Sequence, residues 1–349
     1  MRAAVLVEAG RPLEIQELPD PTPGPADAVI RVEACGICRS DWHLWQGDWG
    51  WVGVKPRLPL VPGHEFAGIV EAVGPEVRNF KPGDRVTAPF HLACGQCEHC
   101  YTGHSNRCGS GAFGISINGG YGNRAMVPRA DVNLVRLPDA VDFISAAALG
   151  CRYMTAYHGI VERAVVRPGE WVAIFGVGGV GLSAVQVATA VGGRVIAVDV
   201  SAEKLEVARA EGAVETVNAG EGDSWRAIRE LTGGGAHVSV DALGSARTAL
   251  PAMRSLRKGG RHLQVGLTGQ EEKGAIALPV DAMVMAELQV IGTFGCPSTS
   301  YPGLLSLVAA GRLRPSRLVT ETVAVGEVNR VLEAMSGFGT VGFSVITNW

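Results

Sequence analysis

From Met1 to about Ala140 the chain alternates short hydrophobic runs with turns rich in proline and glycine. The runs read AAVLV, AVIRVEA, AGIVEAVG and DRVTA, and the turns include PDPTPGPAD, VPGHE and KPGDR. Short runs rich in valine and isoleucine, bounded by such turns, are typical of β-strands. The pattern therefore predicts a β-rich N-terminal domain.

From about Arg167 the pattern changes to apolar strands that alternate with helices. The predicted strands are WVAIFG, RVIAVDV, AHVSVDALG, GGRHLQVGL and LQVIGTFG, and the predicted helices include VGLSAVQVATAVG and SAEKLEVARAEG. Strands alternating with helices form a parallel sheet covered on both faces. The chain of 349 residues is therefore predicted to be an α/β protein of two domains, with a last strand near residues 341–347.

Composition and charge exclude several classes of function. The formal net charge is −3 without long runs of one sign, so neither nucleic acid nor an anionic membrane is an expected partner. The uncharged segment 171–193 is long enough to span a bilayer, but its glycines predict a strand, a turn and a helix start. The N-terminal apolar run is shorter than a signal-peptide core, which predicts a cytoplasmic protein. Eight cysteines in such a chain favour metal sites or reactive thiols over disulfides.

Three glycines between a strand and a helix predict a dinucleotide-binding loop. Gly176, Gly178 and Gly181 form G-x-G-x-x-G directly after WVAIF, and Asp199 ends the next strand. The glycines let the backbone approach a pyrophosphate, to which the helix N-terminus offers free N–H groups. The Asp199 carboxylate should accept from ribose hydroxyls and repel a 2′-phosphate, which favours NAD over NADP. The alternative is a glycine-rich turn in an α/β domain that binds no nucleotide.

Four cysteines in the segment CGQCEHCYTGHSNRC, which we call the cysteine lobe, predict a structural zinc site. Four thiolates close a tetrahedral shell and leave no position for substrate. An iron–sulfur cluster is the alternative, but the fourth cysteine is too distant and lacks a following proline. His99 and His104, in the same segment, are interpreted as exposed loop residues. The predicted ligands are Cys94, Cys97, Cys100 and Cys108.

Three separate segments contain a second candidate metal set with an open position. Cys38 lies in CGICRSDWH, His64 and Glu65 lie in VPGHEFAG, and Cys151 lies in LGCRYMTAYHG. Two cysteines and one histidine suit a catalytic zinc whose fourth position is free for water or substrate. Each residue also has a simpler explanation: Cys38 as a redox partner of Cys35, His64 as a turn residue, and Cys151 as a core thiol. Spacing alone leaves these alternatives open.

Together these motifs closely resemble the zinc-dependent medium-chain alcohol dehydrogenases. CGICRSDWH, GHE, the cysteine lobe, GCRYMTAYHG and GVGGVG occur in this order over essentially the whole chain. The resemblance implies a GroES-like catalytic domain over residues 1–150, completed by residues 291–349, and a Rossmann NAD-binding domain over residues 151–290. It also places the active site in the interdomain cleft, at the carboxyl edge of the parallel sheet.

The resemblance assigns the open metal set to a catalytic zinc. Cys38, His64 and Cys151 would bind it, and Glu65 would lie beside it as a neighbouring or transient ligand. Zinc at such a site acts as a Lewis acid on the alcohol oxygen, and the NAD cofactor accepts the hydride. With the cysteine lobe, two zinc ions per chain are expected.

The resemblance also assigns a proton relay and cofactor contacts. Ser40 would take the alcohol proton, His43 would pass it to solvent through the cofactor ribose, and Asp41 would orient the zinc-binding histidine. Further contacts with the cofactor are implied for the phosphate-binding Arg39, the ribose-binding Lys204, the nicotinamide neighbours Thr155 and Val180, and Gly179 of the glycine loop.

One position departs from the family pattern. Many members have arginine one residue after the glycine of the last strand, where it touches the pyrophosphate, whereas this chain has Phe343 in TVGFSVI. Part of the phosphate contact is therefore expected to fall to Arg39. Phe90, four residues before the cysteine lobe, and Trp49, one of several tryptophans after Cys38, are predicted to line an apolar substrate pocket. The alternative is that most of these tryptophans pack the domain or a subunit contact.

The predicted function is reversible hydride transfer between a primary or secondary alcohol and NAD. A polyol or amino-alcohol dehydrogenase of the same fold is one alternative, although the aromatic residues argue against a polar pocket. A zinc-stabilised dinucleotide sensor without catalysis is another, disfavoured by the intact Ser40 and His43. The resemblance further implies a homotetramer.

Overall fold

The computed structural model describes residues 1–337 and 339–349 and divides the chain into two compact units. The first unit contains Met1–Met154 and Gly295–Trp349, and the second contains Thr155–Phe294. The C-terminal segment belongs to the first unit because its strands extend the sheet of that unit.

The regular elements follow in chain order. The part before the second unit has β1 (Arg2–Val5), β2 (Glu14–Glu17), β3 (Ala28–Ile37), α1 (Arg39–Gln46), β4 (Glu65–Val73), β5 (Arg85–Thr87), α2 (Glu98–Tyr101), β6 (Arg124–Val127), α3 (Ala130–Asn133), β7 (Val135–Arg136) and α4 (Phe143–Ala148). Helix α5 (Met154–Tyr157) includes the first residues of the second unit. The second unit then has β8 (Trp171–Phe175), α6 (Gly179–Ala190), β9 (Arg194–Asp199), α7 (Ala202–Ala210), β10 (Glu215–Asn218), α8 (Ser224–Leu231), β11 (Ala236–Asp241), α9 (Ala246–Arg254), β12 (Leu256–Gln264), α10 (Val280–Met285) and β13 (Gln289–Gly292). The C-terminal segment adds α11 (Tyr301–Ala309), β14 (Val319–Ala324), α12 (Val328–Met335) and β15 (Phe343–Asn348). Short 3-10 turns lie at Gly50–Val52, Ser105–Arg107, Ser298–Ser300, Pro315–Leu318 and Val325–Glu327, and wider π-type turns lie at Leu149–Tyr153 and His158–Arg163.

The first unit is built on a seven-stranded sheet in the order β14-β15-β3-β4-β5-β7, with β6 also paired to β3. The long strand β3 is central, and the C-terminal strand β15 lies antiparallel to it, with Ile346 opposite Cys35. Most side chains of β3 are buried, since neighbouring strands and helices cover it. This arrangement confirms the predicted β-rich, GroES-like fold, and β14 and β15 of the C-terminal segment lie in its sheet.

The second unit is a parallel six-stranded sheet in the order β10-β9-β8-β11-β12-β13. The chain runs outwards from β8 in one direction and then continues from β11 in the other. In such doubly wound sheets ligands bind outside the carboxyl ends of the strands where the order reverses. The predicted Rossmann fold is confirmed.

The uncharged segment 171–193 forms β8 and helix α6, as its glycines predicted. In the part of the chain that the structure describes, no helix combines the length and the apolar character that crossing a membrane requires.

Candidate functional site

Four donor side chains from three separate segments meet in the first unit. Cys38 caps the N-terminus of α1, His64 and Glu65 lie at the start of β4, and Cys151 lies in the π-type turn at Leu149–Tyr153. One donor atom of each residue lies within 4.8 Å of the others. Single π-type turns inside helices are rare and occur frequently at functional sites.

Asp41 fixes the orientation of the His64 ring. Its Oδ1 lies 3.0 Å from His64 Nδ1, and because a carboxylate only accepts, Nδ1 carries the proton and donates it. The carboxylate also accepts from the backbone N–H of Cys38 at 2.9 Å and of Gly63 at 3.2 Å. Nε2 of His64 is left buried beside the Cys38 thiol, without a hydrogen bond of normal geometry among the described residues.

The two thiols of this set influence each other directly. A hydrogen bond from the Cys151 thiol lowers the pKa of Cys38 well below its usual range, and the same contact raises the pKa of Cys151. Burial lowers the pKa of His64, but Asp41 outweighs it and raises that pKa well above the usual value. Two sulfurs and an imidazole nitrogen aimed at one point are the donor set that zinc prefers. The residues therefore fit a zinc ion at this set.

The carboxylate of Glu65 is held by an arginine that the sequence motifs did not single out. Arg152 Nε donates to Oε1 at 3.1 Å, and Nη2 donates to Oε2 at 2.5 Å. Burial raises the pKa of Glu65 to about 7, against the opposing effect of Arg152. The Arg152 guanidinium also lies 3.8 Å from the ring centre of Phe343. The only sequence signal for this contact is the charged residue directly after Cys151.

The thiols of the cysteine lobe also converge, and their four sulfur atoms all lie within 4.8 Å of one another. The backbone N–H groups of Gln96 and Cys97 each donate to Cys94 Sγ at 3.3 Å and lower the pKa of Cys94. Burial opposes ionisation of Cys108, but hydrogen bonds from Ser110 and from the Cys94 amide outweigh it and lower the pKa to about 6. Donors aimed at sulfur stabilise thiolates, the form that binds a metal.

The lobe histidines differ in exposure. His99 is exposed as predicted, although it lies on α2 and not in a loop. His104 is half-buried, so the expectation of an exposed residue was wrong for it. The backbone N–H of His104 donates to the carbonyl of His99 at 2.7 Å, a hydrogen bond within the lobe.

His43, the candidate relay histidine, is held on three sides. Its Nδ1 lies 2.8 Å and 3.1 Å from the two carboxylate oxygens of Asp48, its ring stacks on Trp49 at 5.0 Å, and Trp42 meets it edge-on. Burial lowers the pKa of His43, and Asp48 only partly offsets this. Ser40 is half-buried in the first turn of α1, one turn before His43. Sequence reasoning missed Asp48, which lies just outside the motif CGICRSDWH.

The glycine loop of the second unit has the form that its sequence predicted. Gly176 has a φ of 82°, which favours glycine, and a Cβ on Gly181 would lie 1.9 Å from the carbonyl oxygen of Gly176. Gly178 is the N-cap of α6 and Gly179 its first residue. Asp199 ends β9, where its Oδ2 accepts from the backbone N–H of residue 177 at 2.9 Å.

The other predicted cofactor residues have varied surroundings. Arg39 donates to the carbonyl of Met335 and lies over the Trp42 ring at 3.9 Å. Lys204 is half-buried near the start of α7, Thr155 is buried, and Val180 is half-buried in the first turn of α6.

Both predicted pocket residues are buried. The Phe90 ring lies edge-on to His64 at 5.9 Å, and Trp49 contacts His43. Phe90 therefore flanks the open metal set, and Trp49 flanks His43.

Comparisons with known proteins match both parts of the chain to the same class of enzyme. Family profiles match residues 24–139, as the alcohol dehydrogenase GroES-like domain, and residues 179–310, as zinc-binding dehydrogenase. An alcohol dehydrogenase from Geobacillus stearothermophilus is 36% identical over 96% of each chain, and an NAD-dependent alcohol dehydrogenase from Sulfurisphaera tokodaii is 35% identical over 99% of each. The solved structure of an alcohol dehydrogenase from Thermus sp. ATN1 matches with a TM-score of 0.91 and 32% identity, covering 100% of both chains.

Proposed function

The chain belongs to the zinc-dependent medium-chain alcohol dehydrogenase family, and on that premise we propose that it interconverts a primary or secondary alcohol and its aldehyde or ketone with NAD. The observation that carries the proposal is the set of Cys38, His64 and Cys151, in which Nε2 of His64 is buried beside the Cys38 thiol and has no hydrogen bond of normal geometry among the described residues. A zinc-dependent dehydrogenase needs such a set, whereas a dinucleotide sensor does not.

Residues 1–150 with 291–349 would form the catalytic domain, and residues 151–290 the NAD-binding domain. We assign two zinc ions to each chain, one to the open set and one to the cysteine lobe. Zinc held by Cys38, His64 and Cys151 would supply Lewis-acid polarisation of an alcohol oxygen, and NAD at the glycine loop would supply the hydride acceptor.

The protein's own residues then orient the metal ligands and move the proton. Asp41 keeps the His64 proton on Nδ1, so that Nε2 remains a ligand. Ser40 Oγ takes the hydroxyl proton of the alcohol and His43 passes it towards solvent. Because Asp48 holds the Nδ1–H of His43, the relay would use Nε2. Per turnover the alcohol thus loses one hydride to NAD and one proton to solvent.

Cofactor and substrate contacts complete the proposal. The glycine loop would hold the pyrophosphate, and the carboxylate of Asp199 would select NAD by binding the ribose hydroxyls. The apolar rings of Trp49 and Phe90 favour an apolar alcohol over a polyol, because they offer a hydroxyl-rich chain no hydrogen-bond partners along their faces.

We also propose that the chain assembles as a homotetramer in the cytoplasm. The edge strand β13 and the neighbouring α10 expose apolar side chains, among them Val284 and Met285, whose relative exposures are 72% and 75%. An exposed strand edge beside an apolar surface pairs readily with a second copy. Six candidate zinc-binding cysteines require reduced thiols, which the cytoplasm maintains.

The proposal is tested by NADH formation across a panel of alcohols, with zinc measured on the same sample. We expect two zinc ions per chain and loss of turnover in Cys38→Ala, which should retain the lobe zinc. Cys100→Ala is the matched control, because it should lose the zinc of the cysteine lobe and not the zinc of the open set. Unchanged turnover in Cys38→Ala would contradict the assignment of the catalytic zinc, and absence of turnover with every alcohol would favour the dinucleotide sensor.

A further inference from the structure

A buried ion pair lies directly beside the open metal set. The side chains of Arg152 and Glu65 have relative exposures of only 6% and 0%. Both carboxylate oxygens are engaged, Oε1 at 3.1 Å from Nε and Oε2 at 2.5 Å from Nη2, and Oε1 also accepts from the Arg152 backbone N–H at 3.3 Å. Burying two charges is a weak source of stability, because their desolvation offsets their attraction. Stability therefore does not explain why this ion pair lies beside the open metal set.

The surroundings confine the Glu65 side chain. A Cβ on Gly36 would lie 2.2 Å from Glu65 Oε2, and a Cβ on Gly150 would lie 2.5 Å from Glu65 Cα. On the far side, the Arg152 guanidinium stacks on Phe343, whose ring is fully buried in β15. Two glycines thus make room for the carboxylate, and a ring supports the arginine that binds it.

This confinement matters because Glu65 is itself within reach of the metal. A carboxylate oxygen of Glu65 lies within 4.8 Å of the donor atoms of Cys38, His64 and Cys151. Three protein ligands leave one tetrahedral position for substrate, and a carboxylate in that position would complete a closed shell.

We propose that Arg152 is a positioning residue that holds Glu65 out of the metal's ligand set and so keeps the fourth position open to the alcohol. The fork geometry of arginine suits this role, since it binds both carboxylate oxygens at once, whereas a lysine ammonium would hold one. The proposal rests on the proposed function, because it requires a metal ion at this set.

The test uses the cobalt-substituted enzyme, because Co²⁺ reports the number and type of its ligands in the visible spectrum. Co²⁺ replaces zinc in the wild-type chain, in Arg152→Gln and in the double variant Arg152→Gln/Glu65→Gln. Imidazole is then titrated as a small external ligand for the fourth position, and its Kd is read from the spectrum without any turnover.

We expect Arg152→Gln to weaken imidazole binding about tenfold or more, because the released carboxylate competes at the high effective concentration of a tethered ligand. The cobalt bands should change before imidazole is added, as a carboxylate oxygen enters the ligand set. The double variant should return to the wild-type Kd within about twofold, since it lacks the competing carboxylate.

Two results would overturn the proposal. One is a wild-type imidazole Kd in Arg152→Gln, and the other is a double variant as weak as Arg152→Gln, since the loss would then not depend on the carboxylate. If Arg152→Gln does not fold, Arg152→Lys takes its place. We then expect Arg152→Lys to bind imidazole more weakly than the wild type, and the added substitution Glu65→Gln to restore the binding. A wild-type Kd in Arg152→Lys would then count against the role. Failure of the proposed function is distinguishable, because wild-type enzyme would then bind cobalt only in the cysteine lobe, one ion per chain, and its spectrum would not respond to imidazole.

Discussion

Asp48 shows how one carboxylate influences both the orientation and the proton affinity of His43, the proposed relay histidine. It holds His43 Nδ1 at 2.8 Å, and its charge favours the protonated ring, while burial favours the neutral one. Burial prevails, so the pKa of His43 lies below its usual value. The neutral imidazole, which is the form that accepts a proton, is therefore present at neutral pH.

Removing the charge of Asp48 should shift the pH dependence of alcohol oxidation. In Asp48→Asn the pKa of His43 should fall further, because the carboxylate that raises it is gone. We expect the acid limb of the kcat profile to move to lower pH by about one unit. The profile of His43→Ala serves as the control, since Asp48→Asn should cause no further shift in that background. An acid limb that stays in place would exclude His43 as the titrating group.

At the scale of single residues, sequence reasoning found what belongs to a dense motif and missed what does not. Cys38, His64 and Cys151 were identified because thiols and imidazoles at these positions resemble a known pattern. Arg152 and Asp48 do not belong to such a motif, and isolated charged residues usually lie on a solvated surface. Their roles follow from burial and from distances to Glu65 and His43, which depend on the folded chain.

Helix α6 and strand β8 approach each other closely at the glycine loop. The Cβ that Gly181→Ala adds would lie 1.9 Å from the Gly176 carbonyl oxygen, so the helix and the loop would have to separate. We expect a loss of about 1–3 kcal/mol in the free energy of unfolding, the usual range for overpacking. Thermal and urea unfolding of the NAD-free protein would measure it.

Gly178→Ala is the matched control, because its Cβ would have no described atom within 4 Å in the NAD-free protein. It should leave stability within about 0.5 kcal/mol of the wild type and reduce NAD affinity instead, since the pyrophosphate approaches that backbone. Equal stability losses in both variants would contradict the close approach at Gly181.

At the scale of elements, periodicity predicted the second unit well. WVAIFG and RVIAVDV appear as β8 and β9, because continuous apolar runs suit strands buried on both faces. The π-type turn that carries Cys151 had no sequence signal, because it differs from an α-helix only by one residue in its hydrogen-bond spacing. Its position is decided by tertiary packing around the metal set.

At the scale of the whole molecule, we expect the tetramer to depend on the exposed apolar side chains of α10. Wild-type protein should have four times the chain mass of 36.5 kDa in size-exclusion chromatography with light scattering. Met285→Asp should lower that mass, because a charge replaces a side chain that would be buried between copies. Val214→Asp, at an exposed valine just before the opposite edge strand β10, should leave it unchanged. A wild-type mass of one chain would contradict the tetramer.

The two metal sets differ in the sequence separation between their ligands. The lobe cysteines all fall within the short range 94–108, so an unfolded chain can still bring them around one ion. Cys38, His64 and Cys151 come from three distant segments, and only the folded chain presents them together. A ligand stabilises a protein only as far as it prefers the folded over the unfolded ensemble. By that criterion an ion at the open set would stabilise the native state more than an ion in the lobe.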